Sequence, residues 1–169
     1  GELRLILLAG PDESVSRELA GQALAVLGDP SDPMARLDLA PEELRADPAR
    51  LADEAAAVSM FGARRVIRVA GAGDSCTEAA RLLLAAPAAG NPVVMLAGDL
   101  PKSSSLRKLA EEHPLALALL SYPLEGQALE SWLAARARSL GLRLESGVEE
   151  RLVASTGGDT ALLASELEK

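Results

Sequence analysis

Up to residue 121, short apolar runs alternate with longer segments in which apolar residues recur with the spacing of a helix. The apolar runs predict strands at 3–9, 34–39, 66–70, 93–97 and 115–120. The periodic segments between them predict helices at 13–27, 41–44, 48–61, 75–86 and 104–112. Strands that alternate with helices in this way favour a parallel sheet that is covered by helices on both faces.

The pattern changes at Tyr122, after which only helical periodicity remains. A helix is predicted over 125–140, with these residues facing inward: Leu124, Ala128, Trp132 and Leu133. A capping box that starts at Ser146 predicts the beginning of a second helix, and Asp159 is suited to cap a third. We therefore predict two domains, an α/β domain over 1–121 and a small helical domain over 122–169.

The helix predicted over 48–61 has large apolar residues at its end. Asp47 can cap it, Pro48 suits its first position, and its apolar stripe consists of Leu51, Ala55 and Val58. At about 100° per residue, Met60 lies roughly opposite this stripe, and Phe61 lies about 80° away from it. Gly62 can then end the helix. Apolar side chains that point away from the core predict either contact with a partner or packing under a neighbouring loop.

Segment 59–65 reads Ser-Met-Phe-Gly-Ala-Arg-Arg. With the helix before it and the strand after it, this segment resembles the δ subunit of the bacterial DNA polymerase III clamp loader. In that family, an aliphatic residue and the Phe after it enter a hydrophobic pocket on the sliding clamp. Met60 stands where Leu is more usual, and an unbranched thioether fills a similar pocket. The resemblance implies clamp contact for these residues: Met60, Phe61, Ser59, Gly62 and Arg64.

The resemblance covers essentially the whole chain, from the first strand and residues 10–13 to residues 157–159 and the carboxyl end. It implies a RecA-like, AAA+-type sheet followed by a small helical lid, and an amino-terminal fragment of a longer subunit. The implied function is to bind the clamp and help open the ring during DNA replication, as a non-catalytic subunit of the polymerase holoenzyme. The implied partners are the clamp (β), the ATPase subunits (γ or τ) and δ′, in the bacterial cytoplasm, and DNA is reached only through the complex.

The turn after the first strand lacks the residues that bind a nucleotide. A phosphate-binding loop follows G-x-x-x-x-G-K-[ST], in which Lys reaches the phosphates and Ser or Thr holds magnesium. Residues 10–17 contain no second Gly and no Lys, and no Asp-Glu pair follows Val69 or Leu96. Thr160 stands near the position of a nucleotide-sensing Arg in related ATPases. We predict no ATP binding, no cofactor and no catalytic residues, as the resemblance to δ also implies.

The chain is acidic, with a net charge of −8, and its Lys and Arg residues are scattered. Binding to nucleic-acid phosphates needs clustered cations, so independent DNA binding is not expected. Arg64, Arg65 and Arg68 form a small basic group, which is more typical of solvated charges that flank a strand than of a specific contact.

Cysteine and histidine are too rare for most metal or redox chemistry. Cys76 and His113 are the single residues of their types, which excludes an internal disulfide and a zinc site built from several Cys and His ligands. We expect Cys76 to begin a helix and His113 to end one. No apolar stretch free of charges reaches the roughly 18 residues that a membrane span needs.

Two other functions stay open. One is a purely structural clamp-loader subunit of the δ′ type, which would be expected to carry Cys ligands for zinc and a Ser-Arg-Cys loop. Cys76, preceded by Ser75, matches neither feature. The other is an unrelated α/β enzyme. The apolar pair Met60 and Phe61 favours the clamp-binding function over both.

Overall fold

The computed structural model describes residues 2–29, 31–60, 62 and 64–169. The chain divides into two compact units, Gly1–Ser121 and Tyr122–Lys169. The strands of the first unit are β1 (Leu5–Ala9), β2 (Arg36–Leu39), β3 (Val66–Ala72), β4 (Val93–Ala97) and β5 (Ala116–Leu120). Its helices are α1 (Glu13–Leu27), α2 (Pro41–Ala46), α3 (Ala49–Ala56), α4 (Thr77–Ala85) and α5 (Ser105–Glu112), and a short 3-10 helix, Asp74–Cys76, precedes α4.

The described strands form one parallel sheet with the order β2-β3-β4-β1-β5. Leu7 of β1 is aligned with Met95 of β4 on one side and with Ala118 of β5 on the other. Successive side chains point to opposite faces. Leu7 and Met95 therefore join the core that includes residues of α2, α3, α4 and α5, whereas Leu8 and Val94 pack with α1. Helices cover both faces, which confirms the predicted α/β fold class.

The second unit is helical, with α6 (Gly126–Ser139), α7 (Val148–Thr156) and α8 (Thr160–Leu167). Its buried core consists of Leu129 and Leu133 of α6 with Leu163 and Leu167 of α8. The prediction that Ala128 faces inward is wrong, because Ala128 is exposed. The buried stripe of α6 runs one position later and repeats every fourth residue: Leu129, Leu133 and Ala137.

The helix starts of the second unit show one wrong prediction and one confirmed prediction. Ser146 does not take the N-cap position of α7, because Gly147 takes it, with a φ of +86° and no side chain to bond the first turn. Asp159 caps α8 as predicted. Its carboxylate accepts hydrogen bonds from the backbone N–H groups of Ala161 at 2.8 Å and Leu162 at 3.1 Å.

Several element boundaries of the first unit differ from the sequence prediction, among them the start of β2 and the end of α3. β2 begins at Arg36 instead of residue 34, because the Asp32 carboxylate accepts a hydrogen bond from the Met34 N–H at 2.8 Å and holds that residue in a turn. α3 ends at Ala56, well before Gly62. Val58 therefore does not continue the buried stripe of that helix, and Met60 lies on the segment that follows it.

Candidate protein-binding site

The segment between α3 and β3 carries the predicted site. It leads into the first residue of β3, so it lies at the edge of the sheet where the parallel strands begin. Ligands of open α/β sheets usually bind at the opposite edge, beyond the carboxyl ends of the strands. The segment is therefore separated from the place where a nucleotide would be expected.

Two large apolar side chains of this segment face solvent. Met60 is 96% exposed and Val58 is 89% exposed. The N–H of Gly62 donates to the carbonyl of Ser59 at 3.0 Å, which closes a turn around Met60, and Gly62 has a φ of +70°. Glycine adopts this left-handed conformation without the steric cost that a side chain would bring. Phe61, the other predicted anchor, lies outside the described residues.

The sequence prediction missed Val58, because it placed that residue on the buried stripe of α3. An exposure of 89% puts Val58 on the same exposed segment as Met60. Large apolar residues that are exposed together on one segment are a feature of protein-binding sites. We call Val58 and Met60 the apolar tip.

Asn91 holds the two ends of the segment that carries the apolar tip, which we call its base: the end of α3 and the residues just before β3. Asn91 precedes β4 and is 5% exposed. Its side-chain Nδ2 donates to the carbonyls of Glu54 at 3.0 Å and Ala57 at 2.8 Å. Its Oδ1 accepts a hydrogen bond from the N–H of Arg65 at 3.0 Å. Its backbone N–H donates to the carbonyl of Ala55 at 2.9 Å. One buried residue thus joins the end of α3 to the start of β3.

These bonds give a physical reason for the early end of α3. The last carbonyls of a helix lack partners within the helix and need others. Here the carbonyls of Glu54 and Ala55 find them on Asn91, which lies far away along the chain. The chain then turns into extended backbone at Ala57, with φ −63° and ψ 132°. A glycine at 62 is therefore not what ends the helix.

The three arginines that follow the apolar tip each contact a carbonyl or a carboxylate of the first unit. Arg64 donates from Nε to the carbonyl of Gly90 at 3.0 Å, and its guanidinium lies 3.6 Å from the Glu2 carboxylate. The guanidinium of Arg65 lies 3.6 Å from the Glu54 carboxylate. Arg68, in β3, pairs in the same way with a carboxylate of β2. The predicted site residue Arg64 thus lies near the apolar tip, and its side chain already contacts Gly90 and Glu2.

At the opposite edge of the sheet, the turn between β1 and α1 is closed. Gly10 donates to the carbonyl of Gly98 at 3.0 Å. The carboxylate of Asp12 accepts hydrogen bonds from the N–H groups of Ser14 at 3.1 Å and Val15 at 3.2 Å. A nucleotide phosphate is usually bound by free N–H groups at such a helix start. In this chain a carboxylate already occupies them, and a phosphate would meet its negative charge.

A cavity of about 200 Å³ lies beside this turn, lined in part by Arg17, Arg68 and Gly98. Pockets for small ligands usually measure about 300–1,000 Å³. The guanidinium groups of both arginines lie within 4.0 Å of carboxylates, on Glu13 and Asp38 respectively. The cavity is thus small, and its cations already have anionic partners.

Cys76 and His113, the other residues with side chains suited to chemistry, contribute to the fold. Cys76 is buried in the core of the first unit. His113 follows α5, and its Nδ1 accepts a hydrogen bond from the N–H of Leu115 at 3.1 Å. In the part of the chain that the structure describes, no group of three or more His, Cys, Asp or Glu residues could hold a metal ion. Across the same residues, no helix has the length and apolar character of a membrane span.

Comparison with known proteins identifies the fold. No protein-family model and no curated protein match the chain. Among solved structures, the chain is similar to the Bacillus subtilis DNA clamp loader delta protein, YqeN, with a TM-score of 0.72 and 17% sequence identity. The match covers 99% of this chain and 52% of that protein, so the chain spans about half of its length. The chain therefore has a clamp-loader-like fold, as the resemblance in its sequence implied.

Proposed function

We propose that this chain is the clamp-contacting part of a δ-type clamp-loader subunit. The observation that carries the proposal is the apolar tip, in which Met60 is 96% exposed and Val58 is 89% exposed, on a fold similar to that of a clamp loader delta protein. In this proposal, Val58, Met60 and Phe61 enter a hydrophobic pocket of the bacterial sliding clamp, with Ser59, Gly62 and Arg64 at the rim.

The free energy of burial favours contact of these side chains with a partner over their exposure to solvent. Complete burial of a Val or Met side chain is worth about 1.5–3 kcal/mol. The tip obtains little of this energy in the free chain, because both side chains are almost fully exposed. A pocket on a partner would supply it. Binding energy at protein interfaces is typically concentrated in a few such anchors.

The role is non-catalytic. The N–H groups that would receive a nucleotide phosphate are bonded to Asp12, and the net charge of −8 opposes independent binding to DNA. Nucleotide-driven switching would then come from ATPase subunits of the γ or τ type, with δ′ as a further neighbour. The chain would act on primed DNA only through this assembly in the bacterial cytoplasm, by holding or helping to open the clamp.

Comigration with a bacterial sliding clamp tests the proposal. The chain and the clamp are mixed and separated on a sizing column, and the dissociation constant is measured by calorimetry. We expect a complex that survives the column and loses affinity when Met60 is replaced by Ala. The matched control is Met34→Ala, because Met34 is also exposed, at 73%, but lies before β2. A folded chain that shows no binding would refute clamp contact and favour a structural role of the δ′ type.

A further inference from the structure

We propose that Asn91 is the positioning residue of the clamp contact, because its side chain ties together the two ends of the segment that carries the apolar tip. This inference rests on the proposed function. Asn91 lies far from Met60 along the chain and is buried, so it acts through the segment and touches no partner itself.

The donors and the acceptor of the Asn91 side-chain amide all form hydrogen bonds at this position. An Asn amide offers two N–H donors and one carbonyl acceptor. Both donors are engaged where α3 ends, at the carbonyls of Glu54 within the helix and of Ala57 just after it. The acceptor is engaged with the N–H of Arg65, one residue before β3. The exit from α3 and the entry to β3 are therefore fixed to the same small group.

The other contacts given above at the base of the tip differ from those of Asn91. The Arg65–Glu54 pair spans 3.6 Å, and both side chains are 29% exposed, so water weakens their attraction. The contact of Arg64 with Gly90 holds only the β3 end of the segment. The side chain of Asn91 bonds to both ends of the segment, and Asn91 itself is buried, so water weakens these bonds less.

A fixed base lowers the cost of binding. A mobile loop must be ordered when it docks, and that loss of freedom reduces affinity even when every contact is kept. With its ends held together, the segment presents Val58 and Met60 in a restricted set of positions. Removal of the amide should therefore weaken binding by the folded chain without removing any residue that touches the clamp.

The test compares Asn91→Ala with Ser121→Ala. Ser121 is the matched control, because it is also 5% exposed and also bonds to backbone carbonyls, those of Ala9 and Asp12. It lies at the carboxyl end of β5, the opposite edge of the sheet from the tip. Clamp affinity, unfolding midpoint and amide exchange at Ala57 and Arg65 are measured for each variant at a temperature where both stay folded.

Both variants should have a lower unfolding midpoint, and only Asn91→Ala should alter clamp affinity and amide exchange at the ends of the segment. We expect its clamp affinity to fall about tenfold, and exchange at Arg65 to rise about tenfold. Ser121→Ala should keep wild-type affinity and wild-type exchange at these amides. Equal affinities for Asn91→Ala and wild type, or equal losses in both variants, would overturn the inference.

A second variant keeps the test valid if Asn91→Ala does not fold. Asn91→Asp is nearly isosteric and retains an acceptor for the Arg65 N–H, but it loses both donors to the carbonyls of Glu54 and Ala57. It should therefore speed amide exchange at Ala57 more than at Arg65, and the reverse order would overturn the inference. Exchange does not require the clamp. If the wild-type chain bound no clamp, the proposed function would fail, while unchanged exchange would separately show that Asn91 does not hold the segment.

Discussion

Replacement of Gly10 by alanine tests the closed turn between β1 and α1. Gly10 has a φ of +136°, a conformation that is essentially restricted to glycine and costs other residues about 1–3 kcal/mol. A Cβ atom at this position would lie 1.9 Å from the carbonyl oxygen of Ser121 and 2.8 Å from its carbonyl carbon and nitrogen. All three atoms belong to the backbone, so no side-chain rotation relieves the clash. Overpacking of this kind adds about 1–3 kcal/mol.

The sum predicts that Gly10→Ala loses about 2–6 kcal/mol of unfolding free energy, a large part of the about 5–15 kcal/mol that a domain usually has. Urea unfolding followed by circular dichroism measures the loss. The control is Gly21→Ala, because Gly21 lies within α1, and an added Cβ there would have no atom within 4 Å apart from its chain neighbours and the backbone of its own helix. That variant should be more stable by about 0.5–1 kcal/mol. A Gly10→Ala variant within about 1 kcal/mol of wild type would refute the contact between this turn and β5.

Three further predictions concern electrostatics and ligands. The pKa of the Asp74 carboxyl lies below its ordinary value of 3.8, mainly because the Ser104 hydroxyl donates to it and, to a smaller extent, because the Leu106 N–H does. The ionised carboxylate of Asp74 therefore stabilises the fold above pH 3.8, and this stabilisation is lost as the pH falls through the lowered pKa. Asp74→Asn should therefore be less stable at pH 7 and lose less further stability between about pH 5 and pH 2 in urea unfolding; parallel curves for the two proteins would contradict this. Calorimetric titration with MgATP should give no saturable heat, because Asp12 occupies the helix start, and micromolar binding would overturn the non-catalytic role. Arg64→Ala should weaken clamp binding only slightly and mainly through slower association at low salt, and a large, salt-independent loss would show that Arg64 is a central contact.

Sequence reasoning succeeded where a few neighbouring residues determine the structure. The apolar run at β4 predicts a buried strand, because five consecutive apolar side chains can be accommodated only between two covered faces. Asp159 caps α8 through bonds to residues two and three positions ahead, so the whole motif is visible in a short stretch of sequence. Both features are therefore visible in a short stretch of sequence.

The end of α3 could not be predicted because its cause lies elsewhere in the chain. Asn91 is separated from Glu54 by 37 positions and from Ala57 by 34, and nothing in the local sequence after Ala56 marks a helix end before Gly62. The same error assigned Val58 to the core. The helix pattern continues through residue 58, but the backbone leaves the helix two residues earlier. Tertiary bonds thus override local periodicity at the segment that carries the candidate site.

The most direct test of clamp binding by the apolar tip compares two double variants of the chain. Val58→Ala with Met60→Ala removes the apolar tip, and Val26→Ala with Met34→Ala removes the same residue types at other exposed positions, 83% and 73% exposed. Clamp affinity and unfolding midpoint are measured together. The tip variant should lose at least about 2 kcal/mol of binding, roughly thirtyfold, with an unchanged midpoint, and Phe61→Ala alone should lose a similar amount. The control should keep wild-type affinity. Equal affinities for tip variant and control, or a lower midpoint with unchanged affinity, would contradict the assignment of this segment to clamp binding.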